Sequence, residues 1–357
     1  MPRILILAPY PWNEAPSQRF RFELLLKNKQ EKGLQYSFGS FYSIKGWEKL
    51  YQTTHPIVKL WLLLAGFGRR KLHLIQSLSY PIILIHRELT PIGPPIFEWI
   101  LAKIFRKKII FDFDDAIWMN DGHDSRLSWW LKSRWKIKKI CQWSWKVSAG
   151  NEFLADYARK HCSTVSVIPT IVDTTLHKPK AKSSKTYHHQ LTIGWTGSHS
   201  TLFYLDTLIP ILQQLQEKHD FTFLLIANVN PQLPLKNYRF IKWNEQTEIE
   251  DLQQIDIGIM PLEETEWAKG KCGFKLIQYG ALGIPSVAAP VGVNPTILMD
   301  KKTGYLVRSA SDWTIALSTL LEDPALREKM GLAARERMIN NYSLEAVQGQ
   351  FEQLFKH

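Results

Sequence analysis

Residues 269–294 read Lys269-Gly-Lys-Cys-Gly-Phe-Lys-Leu-Ile-Gln-Tyr-Gly-Ala-Leu-Gly-Ile-Pro-Ser-Val-Ala-Ala-Pro-Val-Gly-Val-Asn294, a loop rich in Gly and Lys that leads into an apolar segment. The apolar spacing of residues 274–282 predicts a buried helix that Gly283 ends, and residues 285–289 are typical of a short buried strand. A glycine loop before a helix N-terminus offers free N–H groups and a positive dipole end, which favour a phosphate. We therefore predict a diphosphate-binding loop. The alternative is a solvated loop that caps a core helix.

The same stretch resembles the donor-binding segment of glycosyltransferase family 4, the retaining GT-B enzymes also called group 1 glycosyltransferases. That family carries a glutamate, seven residues, a second glutamate, then Ala-x-Ala-x-Gly-x-Pro and a strand. Residues 278–285 match the second half in spacing, with Gln278 at the second glutamate, whereas the first glutamate falls on Gly270 and is absent. A Gln amide can accept from and donate to ribose hydroxyls, so ribose binding is retained in this interpretation. The resemblance implies a donor site made of Gly197, Ser198, Lys271, Gly273, Phe274, Lys275 and Gln278.

Length and composition set the class of protein. A chain of 357 residues with 45% hydrophobic and 22% charged residues is expected to fold into about two globular domains. The net charge of +12 calls for an anionic partner, which is a nucleic acid, an anionic lipid or a phosphorylated substrate.

Three cysteines without C-x-x-C spacing indicate free thiols in a reducing cytosol. No signal peptide is expected, because the first residues already follow a buried-strand pattern. The longest apolar run, residues 57–67, contains Lys59 and is too short for a membrane span.

Acidic residues gather after a predicted strand at 108–113, in the run Asp112-Phe-Asp-Asp115. Arg87 and Glu88 follow the preceding predicted strand, and ligands of open α/β sheets bind beyond the carboxyl ends of strands. Close carboxylates repel each other unless a cation, a proton or an arginine lies among them. A metal would make this a D-x-D site of a GT-A enzyme. The family resemblance favours a metal-free site with Arg87 as partner and with Asp114 or Asp115 as the acceptor-side base or polar anchor. A helix cap with a salt-bridge cluster is the structural alternative.

The first loop and helix supply further acceptor candidates. Ser17 is predicted to cap a helix over residues 18–32, with Arg19 and Arg21 in its first turns. Cations there oppose the helix dipole, so we expect either a phosphorylated acceptor or a carboxylate partner such as Glu14 or Glu23. In GT-B enzymes this loop faces the acceptor. The predicted acceptor set is Ser17, Arg19, Arg21, Arg87, Glu88 and Asp112.

The segment 125–145 alternates tryptophans with basic residues at helical spacing. A basic helix with interfacial tryptophans suits an anionic membrane surface, while tryptophans packed on the sheet are the structural alternative. Stacking on single-stranded nucleic acid is a third reading, but no recognised RNA or DNA module accompanies the segment.

The resemblance implies an α/β fold of the GT-B type, with two Rossmann-like domains facing across a cleft. We expect an acceptor-binding domain at 1–173, a polar linker at 174–189, a nucleotide-sugar domain at 190–340 and a helix at 341–357 that crosses back. The implied reaction is retaining transfer of a sugar from a nucleoside diphosphate sugar to a saccharide or lipid-linked acceptor, without cofactor or metal. We expect a cytoplasmic enzyme of bacterial surface polysaccharide or glycolipid synthesis, possible membrane attachment and no nucleic acid. The alternatives are another GT-B enzyme, such as an epimerase or a glycogen-synthase-like transferase, and a non-catalytic GT-B-fold binding or partner protein.

Overall fold

The computed structural model describes residues 3–27, 34–52, 55–120, 125–180 and 190–356. Within these ranges the chain forms two compact units. Unit 1 contains residues up to Thr170 together with 270–272 and the segment from Val347 onward. Unit 2 contains residues 171–269 and 273–346. The predicted linker at 174–189 lies largely outside the described residues, since 181–189 are among those not described.

Unit 1 is built on a six-stranded parallel sheet in the order β2-β1-β3-β4-β5-β6. Every residue of the strands β1 and β3 is buried, which agrees with the continuous apolar runs that a parallel sheet covered on both faces requires. The strands are β1 (Ile4–Ala8), β2 (Tyr36–Ser40), β3 (Ile82–His86), β4 (Lys108–Phe113), β5 (Lys146–Ala149) and β6 (Val165–Val167).

The helices of unit 1 include two π-helical stretches, Arg19–Glu23 and Ile100–Ile104, each continuous with short α-helical turns. The α-helices are α1 (Pro16–Gln18), α2 (Leu24–Leu26), α3 (Ile44–Gln52), α4 (Pro56–Ser77), α5 (Ile96–Trp99), α6 (Arg126–Lys132), α7 (Lys136–Trp143) and α8 (Glu152–Arg159).

Unit 2 has its own six-stranded parallel sheet in the order β12-β11-β10-β7-β8-β9. Alternate residues of one central strand serve two cores, because Phe223 and Leu225 pack on one face while Leu224 and Ile226 pack on the other. The strands are β7 (Leu191–Gly197), β8 (Phe221–Ala227), β9 (Tyr238–Lys242), β10 (Ile257–Met260), β11 (Ser286–Ala288) and β12 (Gly304–Leu306).

The helices that follow these strands begin with a 3-10 turn at His199–Leu205. They are α9 (Ile209–Lys218), α10 (Glu248–Leu252), α11 (Glu266–Lys269), α12 (Phe274–Ala281), α13 (Asn294–Ile297), α14 (Ala310–Glu322) and α15 (Pro324–Tyr342). The last helix, α16 (Leu344–Gln353), begins at the end of unit 2, and its residues from Val347 onward belong to unit 1.

The α/β fold class and most predicted strands are confirmed, but several local predictions are wrong. Ser17 does not cap the first helix, which begins at Pro16 after an extended Ala15 without a side-chain cap. The basic segment 125–145 is two helices, since Ser133 takes a left-handed conformation that ends α6. Strand β2 was not predicted.

No helix among the described residues is both long enough and apolar enough to span a bilayer.

Candidate functional site

A buried ion pair occupies the carboxyl ends of β3, β4 and β5 in unit 1. The guanidinium of Arg21 donates to both carboxylate oxygens of Asp112, and it also donates to the carbonyl of Ile168. The Nδ1 atom of His86 lies 2.8 Å from Asp112 Oδ2, and the Ser148 hydroxyl donates to Asp112 Oδ1 at 2.7 Å. Three strand ends and the first helix are therefore tied together through one carboxylate.

The electrostatics of this cluster favour its charged form. Burial by itself would raise the pKa of Asp112, but the Arg21 charge and the His86 hydrogen bond outweigh it and hold the pKa well below its ordinary value. Arg21 is 1% exposed and Asp112 is 5% exposed. Both side chains are enclosed and join the strand ends from inside the unit, while their contact with the acceptor stays a prediction.

The second and third carboxylates of the acidic run point to a different arginine. Arg87 Nη2 lies 2.8 Å from Asp114 Oδ1 and 3.2 Å from Asp115 Oδ2, with side chains 13–23% exposed. Arg87 has a positive φ of 59°, an uncommon conformation for a residue with a side chain, and it directly follows β3. Arginine thus lies among the carboxylates, and Arg87 is their partner as the sequence predicted.

Residues 270–272 bring a lysine to the Asp115 carboxylate and a cysteine to the main chain of Asp114. Lys271 Nζ lies 3.1 Å from Asp115 Oδ1, and the Cys272 thiol donates to the carbonyl oxygen of Asp114 at 3.0 Å. Asn151 donates its amide to the carbonyl oxygens of Gly270 and Lys271, at 3.3 and 3.0 Å. Burial, with the Asp114 carboxylate nearby, raises the pKa of the Cys272 thiol, so the thiol stays protonated.

The remaining acceptor candidates, Glu88, Arg19 and Ser17, have other contacts. Glu88 makes an ion pair with Lys136, with 2.6 Å between Oε2 and Nζ. Arg19 packs over the ring of Phe20 at 4.4 Å, and Ser17 lies within α1. For Ser17, Arg19 and Glu88, contact with the acceptor stays a prediction.

In unit 2, glycine at position 273 sets up the start of α12. Gly273 is the N-cap and has a φ of 67°, and a Cβ there would lie 2.2 Å from Ile297 Cδ1. Only glycine meets both conditions without strain. The turn places the backbone amides of Phe274 and Lys275 in the first turn of the helix, where the dipole is positive.

The glycine turn after β7 lies against the same helix. Tyr279 of α12 accepts a hydrogen bond from the Thr196 N–H at 3.1 Å, which ties the end of β7 to α12. The Lys275 ammonium lies 5.1 Å from the centroid of the Trp195 ring. That ring also lies beside Gly197, where a Cβ would be 2.2 Å away from it. Unit 2 thus brings Gly197 and Lys275 close to the Trp195 ring. Ser198, which follows Gly197, is exposed, and its hydroxyl shares a hydrogen bond with that of Ser200.

Gln278 lies one turn further along α12 and is 2% exposed. Its Nε2 atom is buried and has no hydrogen-bond partner in the described part of the chain. A buried amide donor without a partner is costly, so it calls for a ligand or an ordered water to complete it.

Comparison with known proteins finds a family match for residues 190–323. Residues 190–323 match the family model described as glycosyl transferases group 1. Residues 190–323 are a group 1 glycosyltransferase domain.

The chain also matches a curated relative over part of its length. The chain is 39% identical over 85 residues to the D-inositol 3-phosphate glycosyltransferase of Corynebacterium aurimucosum. This match covers 23% of the chain and spans a fifth of the length of that enzyme.

Solved structures resemble the whole chain and show a GT-B fold. Sucrose-phosphate synthase from Thermosynechococcus elongatus superimposes with a TM-score of 0.77 at 16% identity, covering 100% of this chain and 98% of that one. A glycosyltransferase from Rickettsia africae gives 0.72 at 16% identity, with 99% and 97% covered. HepE from Anabaena, solved with UDP-glucose, gives 0.70 at 15% identity, with 99% of each chain covered.

Sequence reasoning missed several residues around the candidate site. His86 and Ser148 bind Asp112, but each lies inside a strand and carries no local signal. Asn151 was readable as a helix cap, because it precedes Glu152 and its side chain accepts from the Leu154 N–H. Its second role, holding residues 270–272, depends on a contact about 120 residues away in sequence.

Among the described residues, no group of three or more His, Cys, Asp or Glu side chains is placed to hold a metal ion.

Proposed function

We propose that this protein is a retaining glycosyltransferase that moves a sugar from a nucleoside diphosphate sugar to an acceptor hydroxyl. The group 1 glycosyltransferase match over residues 190–323 carries the proposal. In the proposed reaction the bond between the anomeric carbon and the diphosphate oxygen breaks. A bond from that carbon to the acceptor oxygen forms on the same face of the sugar, the acceptor proton is transferred, and the nucleoside diphosphate leaves.

The donor is proposed to bind unit 2 at the start of α12. The Gly273 turn and the first amides of the helix suit the diphosphate, and the cations Lys271 and Lys275 suit its charge. The buried, unpartnered amide of Gln278 is proposed to hold the ribose. Gly197, Ser198 and Phe274 complete the proposed donor set. HepE was solved with UDP and with UDP-glucose, which supports a nucleotide-sugar donor.

The acceptor is proposed to bind unit 1 beside Asp114 and Asp115. These carboxylates are partly exposed and are fixed in place by Arg87, so one of them can accept the hydroxyl proton or anchor the acceptor. We further propose a saccharide or lipid-linked acceptor and a role in bacterial surface polysaccharide or glycolipid synthesis, on the cytoplasmic side of the membrane.

The donor site is tested by measuring the affinity for UDP-, GDP-, ADP- and CMP-linked sugars by calorimetry. Lys275→Ala and Gln278→Ala are each expected to weaken the preferred donor at least tenfold, because each removes a ligand of the phosphate or the ribose. Lys301→Ala, which removes an exposed cation elsewhere in unit 2, is the control and should leave the affinity unchanged. Unchanged affinity of both site variants for every nucleotide tested would reject the assignment.

A further inference from the structure

Helix α4 presents its apolar side to solvent. Along its 22 residues, the large apolar side chains spaced three or four apart are exposed, with Trp61 at 68%, Leu64 at 52% and Ile75 at 66%. Helices on the surface of a globular protein normally bury this stripe and expose polar residues. The pattern here is reversed, so the apolar stripe has a purpose other than the core of unit 1.

The opposite side of α4 explains how the helix stays attached. Gly66 lies against the Phe41 ring so closely that a Cβ would be 2.3 Å from it. Arg70 is buried and donates to the carbonyl oxygens of Ala8, Gly39 and Leu89 at 2.6–3.0 Å. A small residue and a carbonyl-bound arginine fix the inner side. The outward direction of Trp61 and Leu64 is therefore set by the fold.

A second apolar feature adjoins α4. A hollow of 470 Å³ is lined by Phe67 of α4, by residues 92–94 and by four large side chains of α6 and the turn after it. Trp130 is 71% exposed and Trp135 is 53% exposed, whereas the next helix, α7, buries Ile137 and Ile140. The sequence left open whether the segment 125–145 faces a membrane or packs on the sheet. In the structure α6 faces outward and α7 faces the core.

Charge distinguishes this region from the rest of the protein. Residues 56–80, 99–108 and 125–146 together contain fifteen Lys and Arg and no Asp or Glu. The net charge of the chain is +12, so outside these three segments acids outnumber bases. The segments also adjoin in the fold, because Phe67 lines one hollow together with Trp129 and Trp130, and Lys107 Nζ donates to the Leu78 carbonyl at 3.0 Å.

We propose that this face of unit 1, formed by α4, residues 99–108 and α6, docks on an anionic lipid bilayer. Exposed Trp and Leu beside Lys and Arg, without acids, match the interface between acyl chains and negative headgroups. A second copy of the chain is disfavoured as the occupant, since two such faces would bring exposed cations against exposed cations. The hollow beside α6 accepts the end of a lipid chain.

The surface also has a defined relation to the proposed acceptor site. Ile92 of the hollow follows Arg87 by five residues, which limits the separation of their Cα atoms to about 18 Å. A lipid-linked acceptor seated on this face would therefore present its head near Asp114 and Asp115. This last step rests on the proposed function, whereas bilayer binding itself does not.

The test is flotation of the full-length protein with vesicles of phosphatidylcholine and phosphatidylglycerol, without donor. We expect binding to mixed vesicles and at least tenfold weaker binding to pure phosphatidylcholine. Trp61→Ser with Leu64→Ser, and separately Lys71→Gln with Lys103→Gln, should each reduce binding at least tenfold. All four side chains are exposed, so the folds should be intact, which thermal unfolding checks.

Matched controls come from unit 2. Ile315→Ser with Leu332→Ser removes two apolar side chains of similar exposure, both 62%, and Lys301→Gln with Lys302→Gln removes two exposed cations. Both controls should bind vesicles as the parent does. Absence of vesicle binding, equal losses in the controls, or binding of a single-stranded oligonucleotide in place of vesicles would each overturn the proposal. The donor-site proposal is tested with soluble nucleotides and no vesicles. Its failure is therefore distinguishable from a failure of the bilayer proposal.

Discussion

At the scale of single residues, the carboxylates at the end of β4 have two different environments, because they pair with two different arginines. Asp112 points inward to Arg21 and is enclosed, whereas Asp114 and Asp115 share Arg87 at the surface. A buried charge that loses its partner is far costlier than an exposed one, because water cannot replace the lost contact. The two kinds of carboxylate are therefore expected to respond differently to the same substitution.

Asp112→Asn is predicted to lower the free energy of unfolding by about 3–5 kcal/mol, since it leaves the Arg21 charge buried without its counter-ion. Asp114→Asn breaks a partly exposed pair and is predicted to cost about 1 kcal/mol or less. Urea unfolding of the two variants and the parent measures both quantities. Equal losses in the two variants would contradict the separation of roles.

At the scale of elements, residues 270–272 depend on a glycine for their close packing. A Cβ at Gly150 would lie 2.4 Å from Cys272 Sγ and 3.2 Å from the Asp114 Cα. Gly150 follows β5, and its N–H donates to the Phe113 carbonyl at 3.0 Å, so the backbone has little room to retreat. This glycine allows Cys272 to reach the main-chain carbonyl of Asp114 and Lys271 to reach the Asp115 carboxylate.

Gly150→Ala is predicted to destabilise the protein by about 1–3 kcal/mol, as overpacking of a closed contact does. The cost should shrink by about 1 kcal/mol in a Cys272→Ala background, because the nearest clashing atom is gone. A double-mutant cycle by urea unfolding gives the coupling. Additive losses would show that Cys272 does not restrict position 150.

At the scale of the whole molecule, stability against acid depends on groups that fold in an uncharged or paired state. His73 packs beside Arg70, with 3.2 Å between Nη1 and Nδ1, and burial followed by the Arg70 and Arg69 charges lowers the pKa of His73 to about 4. An unfolded histidine titrates near 6.5, so the unfolded chain binds the proton first. The contribution of neutral His73 to the free energy of unfolding is therefore fully present above about pH 6.5, and it is lost as the pH falls toward 4.

We therefore predict that His73→Gln loses less thermal stability than the parent between pH 7 and pH 5. The expected difference is about 1 kcal/mol, or about 2–4 °C in Tm for a unit of this size. Asp112 does not interfere in this window: its depressed pKa stabilises the fold above an ordinary value near 3.8, and that part is lost only at lower pH. Identical acid shifts in both proteins, measured by calorimetry, would contradict the prediction.

The features that could be predicted from the sequence are those that depend on residues close together in the chain. The apolar runs of β1, β3 and β4 and the helix after Gly273 were predicted from local pattern. Strand β2 was not, because Tyr36–Ser40 is only half-buried and carries a glycine, so it lacks the continuous apolar run of its neighbours. The break at Ser133 was missed because a left-handed residue other than glycine gives no signal in sequence.

The sequence by itself determined the α/β architecture, the glycine loop at the start of α12 and the concentration of positive charge, since periodicity, glycine and charge are local properties. Tertiary structure decided which carboxylate is enclosed, which lysine reaches the acidic run and which side of α4 faces outward. These outcomes depend on side chains far apart in the chain: Arg21 meets Asp112 across 91 positions, and Lys271 meets Asp115 across 156. A local pattern carries no information about such contacts, because the free energy of burial and pairing is set only when the strands are assembled.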